Sequence, residues 1–451
     1  MLLDRFGKTK LAEKPNIPTT EFSQAAQPSY RKSANALIAL SSSSSIDSSR
    51  GLIVVTDIEL TQHPVGQGGM MSGWLEFSDP SSRSFHWIYD CGSNQTTELN
   101  REIDKVVARG QVDFLFLSHL DSDHISGIDR LLSSKVRVYE VVLPYLNDLD
   151  RLIAVAHDAA TGALAGTFLT FLSDIEGWFR NRGVERITYI TPRDDDDEGG
   201  EGPDLPPVGE DRASGTIEPR WSRRPIEMID GIGRRLESGA SLRLATRSGF
   251  VNWILAPYAH RPSDKDLATF RAKIQSQFNE DVGTPGFLSA TLRDPKMRDL
   301  LRSCYDLIWS DHNLVSMALY SGPRNSERWK SSESNFFPYL WPDPSGPIGW
   351  LGTGDMHLNV PRRWKAFHSH YSPLLDKVNV FCLPHHGSDR NFHMSLPDAM
   401  SHVMHFVAAA GPNGYGHPGK LVKRKIKASG KQLVVVSNKV GSALVWNHRS
   451  L

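Results

Sequence analysis

Six consecutive residues, His119-Leu-Asp121-Ser-Asp123-His124, carry four side chains of the kinds that bind metal ions. Imidazoles and carboxylates at this density suit divalent cations. Two of them at alternate positions can face one ion while the following Asp-His pair faces a second. The apolar run Val112-Asp-Phe-Leu-Phe-Leu117 before the motif reads as a buried strand, and Ile125-Ser-Gly-Ile-Asp-Arg-Leu-Leu132 after it reads as the start of a helix. A strand ending in such a cluster holds its ligands on a rigid edge at the mouth of the fold. A merely solvated polar loop would rarely draw every second residue from the ligand set.

Related pieces recur downstream. Ile348-Gly-Trp-Leu-Gly-Thr-Gly354-Asp355 is an apolar strand ending in a glycine-framed carboxylate, and Val378-Asn-Val-Phe-Cys-Leu-Pro384 delivers His385-His386-Gly387-Ser388. Gly414-Tyr415-Gly416-His417-Pro418 then precedes the helical run Leu421-Val-Lys-Arg-Lys-Ile426. With the early turn Val65-Gly-Gln-Gly68 and the strand end Tyr89-Asp90-Cys91-Gly92, these motifs stand in one order over residues 52–446. In that order they resemble the metallo-β-lactamase superfamily and, within it, the ComEC-like nuclease branch. The resemblance implies an α/β (α+β) fold, an αββα sandwich of two packed sheets with helices outside, enlarged here by a mid-chain insertion.

The ligand types suggest two divalent ions, Zn2+ or Mn2+. Such a pair, about 3.5–4 Å apart, can share a hydroxide and clamp both oxygens of a phosphodiester displacement. His119 and Asp121 are expected on the first ion, Asp123, His124 and His386 on the second, and Asp355 between them. Asp123 is also counted with the catalytic groups. The commoner superfamily motif has His where Asp121 stands; a carboxylate hardens the site towards manganese or magnesium, and the ComEC-like branch shares the replacement. Adjacent residues at a strand end point opposite ways, so one of the double His is expected as ligand. His386 is taken as that ligand, with His385 left to contact the scissile phosphate or protonate the leaving group.

The resemblance places further residues. His312 lies where many superfamily members put another metal-binding His, Asp90 where an Asp orients the metal loop, and His417 in a turn that faces the site. Because Pro favours the first helical position, His417 is expected at a helix N-terminus, near substrate phosphate. Ser388 and the Gly387 amide are expected to bind a phosphate oxygen. Pro64 and Gly69 stand where acidic residues are common, which argues against a substrate role for the early turn.

Composition bounds the function. The 451 residues hold 51 basic and 51 acidic side chains, so any attraction to nucleic acid must be local. Cys91, Cys304 and Cys382 have no spacing of a disulfide framework or zinc knuckle, and a reducing, cytoplasmic setting follows as the default. No run approaches the ~20 apolar residues of a membrane helix. The reading is therefore of a ComEC-like hydrolase module standing alone, a phosphodiesterase or nuclease acting on DNA or RNA. A small-molecule metallohydrolase (phosphorylcholine-type ester, lactone or thioester) and a gated effector subunit needing a partner are the alternatives.

Residues 1–50, ending near the serine run Ser41–Ser45, read as a flexible arm that offers a protein partner a handle. The catalytic domain spans 51–451. Residues 147–310 read as an insertion on one side of the site, a second place for a partner, with an acidic loop at 193–212. Residues 329–347 read as a surface loop, and Lys420, Lys423, Arg424, Lys425 and Lys427 as a solvated helix face.

Overall fold

Strand residues alternate between two apolar surroundings, and that alternation builds the sandwich. In Phe85–Tyr89, Trp87 and Tyr89 face one core while Ile88 faces another; in Gln111–Phe116, Phe114 and Phe116 share the first core and Leu115 the second. A strand buried on both faces needs cover on both sides, so sheet packs on sheet and helices pack outside. The structure is a computed structural model and describes residues 55–79, 82–161, 167–194, 201–206, 216–246, 249–284, 286–309, 315–325, 329–334 and 346–450.

Among these residues the first sheet has ten strands. It runs from the edge strand Trp329–Ser334 through Leu444–Ser450, Val55–Gln62 and Met71–Phe77 into a parallel run that begins Phe85–Tyr89, Gln111–Phe116, Arg137–Pro144, Arg186–Ile190 and continues into Gly233–Leu236. Glu227–Ile229 completes it. The second sheet runs Gln432–Val436, His405–Ala409, Val378–Cys382, Gly349–Gly352, Ser316–Gly322, Phe250–Arg261, Leu242–Ala245 and Glu218–Trp221, with Arg193–Asp194 paired to Phe250–Arg261.

Three cores result. Between the sheets lie Trp87, Phe114, Phe116, Trp253, Leu319 and Trp350. Outside the first sheet, Leu99, Leu131, Leu152, Phe179, Phe270 and Tyr305 bring helices from several segments onto Leu115, Val141 and Ile187. Outside the second, Phe367, Tyr371, Val422 and Ile426 cover Tyr258, Tyr320 and Phe381. Two contacts pin the sheets together beneath the metal motif. The Tyr89 hydroxyl donates to the Met317 carbonyl at 2.6 Å, and the Trp350 ring meets those of Trp87 and Tyr89 at 5.4 and 5.3 Å. Aromatic pairs of this kind contribute about 0.5–1.5 kcal/mol beyond area burial.

Residues 147–310 are woven into both sheets, in contrast to the expected one-sided insertion. Arg186–Ile190 extends the first sheet, and Phe250–Arg261 lies between Leu242–Ala245 and Ser316–Gly322 in the second. That strand runs twelve residues and is buried throughout its interior, so it lacks the polar alternation that marks a strand's course in sequence. The helices of the segment, Asp148–Thr161, Thr167–Ser173, Ile175–Arg180, Asp264–Phe278, Phe287–Arg293 and Pro295–Asp306, do gather on one face. The last two divide at Asp294, whose carboxylate accepts from the Lys296 amide while Pro295 opens the second helix. Residues 329–334 form a strand against Leu444–Ser450 where a loop was expected; a serine-rich edge strand carries little apolar signal. The arm 1–50 and most of the acidic loop lie outside the described residues. No described helix is long and apolar enough to cross a membrane, and none of the three cysteines is bridged.

Glu140 supplies a polar tie between the layers. Buried on the first sheet, it accepts from Thr188 Oγ1, from Arg234 at 2.9 and 3.0 Å, and from the indole of Trp221 on the second sheet at 2.8 Å. Glu140→Ala leaves the Arg234 guanidinium facing an apolar gap and should cost about 3–5 kcal/mol in denaturant unfolding; a loss below 1 kcal/mol would mean water replaces the carboxylate. Burial also holds His86 and His448 at about 4 and His370 at about 3, from an ordinary 6.5. The folded state therefore binds fewer protons than the unfolded chain, and stability falls as pH drops from 6.5 towards 4, by at most ~3 kcal/mol each for His86 and His448. Asp150, raised to about 6 by burial, opposes this in part. The melting temperature of chelator-treated protein should fall between pH 7 and pH 5; a constant value would refute the assignment.

Candidate metal centre

The strand Gln111–Phe116 ends with Leu117 bonded to the Val142 carbonyl, so the chain leaves the sheet at a fixed height. Asp90 ends the neighbouring strand in a left-handed conformation, φ 58°, and fastens the metal motif to it. Its carboxylate accepts from the Ser118 amide at 2.7 Å, the Ser118 hydroxyl at 2.8 Å and His124 Nδ1 at 2.8 Å. Ser118 Oγ also lies 2.8 Å from His119 Nδ1. Both imidazoles are thus held through Nδ1, which leaves Nε2 of each to face the centre. Ser118 was not singled out from sequence; its place between strand and first His was the available signal.

Helix Ser122–Ile125 comes next, and the turn at 65–69 packs beneath it, the Gly69 amide donating to the Asp123 carbonyl at 3.0 Å. At Gly92 a Cβ would lie 2.3 Å from the His124 backbone, so only glycine lets helix and strand end meet. Glycine at 68, 69 and 92 therefore serves packing of the metal motif.

The opposite wall comes from the second sheet. Asp355 follows Gly354, whose φ of 52° brings the backbone against Ser118 and Ser316; the Asp355 amide donates to Ser316 Oγ at 3.2 Å. Asp355 Oδ1 lies 3.2 Å from His124 Nε2 and 4.0 Å from His386 Nε2, while Oδ2 lies 3.7 Å from both His119 Nε2 and His385 Nε2. Asp121 Oδ2 is 3.6 Å from His119 Nε2, and Asp123 Oδ2 is 3.2 Å from His386 Nε2. Two donor sets emerge, His119–His124–Asp355 and Asp123–His124–His386, each compact enough to surround one ion. His124 belongs to both by distance.

The double His does not sit at a strand end. Both residues occupy a tight turn with positive φ, 47° and 56°, followed by Gly387 at 83°. Strand alternation therefore does not apply, and both rings reach Asp355. They differ in support: His386 Nδ1 lies 2.8 Å from the Ala409 carbonyl, which fixes its tautomer, whereas His385 sits at the rim. His417 stands nearby, its ring 5.3 Å from that of His385 and beneath that of Tyr415 at 5.7 Å.

Pro418 does not open the following helix, contrary to expectation. The helix begins at Lys420, and its first amides, Leu421 and Val422, donate to the Asp389 carboxylate at 3.2 and 3.0 Å. The helix dipole is thus already answered by a side chain, and His417 is held instead by Asn413, whose Oδ1 accepts its amide. Ser388 is buried, with Oγ accepting from the Arg390 amide at 3.3 Å, which leaves its own proton to donate. His312 lies outside the described residues. Lys420, Lys423, Arg424 and Lys427 are exposed, and Lys425 pairs with Asp398 at 2.7 Å.

Charge within the cluster is mutually compensated. Burial alone would raise the Asp355 carboxyl, but the rings of His385, His124, His386 and His119 hold it well below its ordinary value. Burial likewise opposes protonation of His124 and His386, yet Asp355 with Asp90 and Asp123 raises the first, and Asp355 with Asp123 raises the second. The donor set fits divalent cations on its own chemistry: Nε2 of His119 and of His124 is buried without hydrogen-bond geometry to any described group, and the carboxylates favour positive charge. Cation binding would release the protons now held there. Because Asp90 orients both His124 and, through Ser118, His119, Asp90→Ala should weaken metal affinity about 10–100-fold at unchanged circular dichroism, read by competition with a chromogenic chelator. An unaltered affinity would make Asp90 a strand cap only.

Residues 84–216 match the family model described as "Metallo-beta-lactamase superfamily", whose members are generally metal-dependent hydrolases. No curated protein sequence matches the chain. Among solved structures it is similar to the metallo-beta-lactamase fold protein YhfI from Bacillus subtilis, at 9% identity over 87% of this chain and 99% of that one, with a TM-score of 0.34. The stretch that matches the superfamily model contains the entire His119–His124 motif.

Proposed function

We propose that the protein is a two-metal phosphodiesterase acting on DNA or RNA. The observation that carries this reading is Asp355, a buried carboxylate shared by four imidazoles, with Asp121 and Asp123 on either side. His119 and Asp121 would hold one ion, Asp123, His124 and His386 the other, with Asp355 between. Divalent ions in this setting, manganese or zinc, supply Lewis-acid stabilisation of phosphoryl charge. A set with three carboxylates leans towards the harder metals.

The chain's own residues handle the rest. Asp90 and Ala409 lock the imidazoles in the tautomer that presents Nε2, so no reorganisation is needed when substrate binds. His385 lies at the open side, near enough to Asp355 to contact a phosphate placed there and to donate a proton to the leaving oxygen. His417 flanks it, and His417 and the Ser388 hydroxyl would hold non-bridging oxygens.

The test is turnover with manganese of bis-p-nitrophenyl phosphate and of single- and double-stranded DNA and RNA. Wild type should cleave the diester and at least one nucleic acid, Asp123→Ala and Asp355→Ala should fall to background, and His385→Gln should lose about 100-fold in kcat. Cleavage of the diester alone would restrict the activity to small phosphodiesters; no cleavage at all by protein carrying two ions per chain would overturn the phosphodiesterase reading.

A further inference from the structure

A second cavity opens at the edge of the first sheet, on the same side as the metal motif. Tyr145 follows Arg137–Pro144, and Thr191 and Pro192 follow Arg186–Ile190; both strands run parallel to Gln111–Phe116, which delivers His119. Neighbouring strands lie about 4.8 Å apart, so this edge is displaced from the metal motif by roughly 5–10 Å across the sheet. In sheets of parallel strands, ligands gather outside the carboxyl ends. The cavity measures about 390 Å³, within the usual range of roughly 300–1,000 Å³ for small-molecule sites.

Its wall is built for an anion. Arg235, Arg261 and Arg271 line it, and the N-terminal turns of two long helices, Asp148–Thr161 and Asp264–Phe278, open onto it. Arg235 is pre-positioned, its guanidinium 4.6 Å from the centre of the Tyr145 ring, and its Nε is buried with no hydrogen-bond partner. Each of these arginines has an acidic partner that reaches solvent: Glu227 lies 3.0 Å from Arg235 and is 44% exposed, Asp264, on the cavity rim, is 77% exposed in its pair with Arg261, and Asp281 faces Arg271 across an exposed pair. Exposed pairs of this kind are worth little and exchange readily for a ligand.

A second feature asks for a hydrogen-bond donor on the same ligand. Asp150 is buried in the cavity wall. One carboxylate oxygen closes a reciprocal cap with Asn147, accepting its amide at 3.2 Å while the Asp150 amide donates to Asn147 Oδ1 at 3.0 Å. The other oxygen, Oδ1, is buried and has no hydrogen-bond partner. An isolated buried carboxylate oxygen is costly, and a ligand hydroxyl would satisfy it.

We propose that this cavity binds a phosphorylated group of mononucleotide size, its phosphate on Arg235 and Arg261 and a sugar hydroxyl on Asp150. As a subsite for a substrate reaching the metal centre it rests on the phosphodiesterase reading; binding itself does not.

The experiment is isothermal titration of the full chain, treated with chelator, with adenosine monophosphate, adenosine and inorganic phosphate. Adenosine monophosphate should bind saturably at one site, phosphate more weakly, and adenosine without detectable heat. Arg235→Gln should weaken nucleotide binding at least tenfold, Asp150→Asn and the exposed-rim variant Arg271→Gln by smaller factors, and His386→Ala should leave that affinity unchanged. Absence of nucleotide binding by wild type, phosphate binding as tight as the nucleotide, or equal loss in His386→Ala and Arg235→Gln would overturn the proposal. Saturable binding by a protein that cleaves no diester would sustain the cavity and remove only its role as a substrate subsite.

Discussion

The carboxylate of Asp355 is the interaction on which the molecule turns. A buried, isolated carboxylate costs several kcal/mol, and the charge is tolerable here because imidazoles from both sheets surround it, His385 and His386 from its own and His119 and His124 from the other. Asp355 hangs from the second sheet; His119 and His124 hang from the first. Neither set is satisfied alone, so the site exists only when the layers meet in one register. The Tyr89–Met317 hydrogen bond and the tilted and edge-to-face contacts of Trp350 with Trp87 and Tyr89 directly beneath set that register.

Local backbone preference yields to this demand. Asp90, His385 and His386 all adopt positive φ, a region that side-chain-bearing residues avoid at a cost of order 1–3 kcal/mol each. Each is over-determined by its neighbours: Asp90 by Ser118 and His124, the double His by the Gly354 carbonyl, which accepts the His385 amide, and by the Gly387–Gly419 contact. Two further described non-glycine residues, Asp230 and Asn279, share this conformation elsewhere, but at the centre it holds imidazoles in one orientation before any ligand arrives. The stiffness is consistent with a site that stabilises charge by arrangement rather than by movement.

The same edge of the first sheet gathers charged side chains at two places. Its parallel strands end in the metal motif at one place and in an arginine-lined cavity a strand or two away. A chain with equal numbers of basic and acidic residues can still attract anions where side chains and helix termini converge locally. Net charge therefore says little about this protein's ligands, and the helices packed over the parallel strands, which supply Asp150 and Arg271, shape that edge.

The cluster of imidazoles and carboxylates and the strand before it were legible in sequence, because the groups stand within a few residues of one another after an apolar run, and the layered αββα class followed from the resemblance carried by the order of the motifs. Other features were settled only by the tertiary structure. That His385 and His386 both reach Asp355 results from a left-handed turn that no propensity favours. That Asp389, rather than His417, meets the helix at Lys420 results from a contact across some thirty residues. The long strand Phe250–Arg261 belongs to the core sheet because both its faces are covered by segments far away in the chain. Sequence determines which groups are available and which short elements present them; distances between groups on different strands depend on long-range packing, which no local pattern contains.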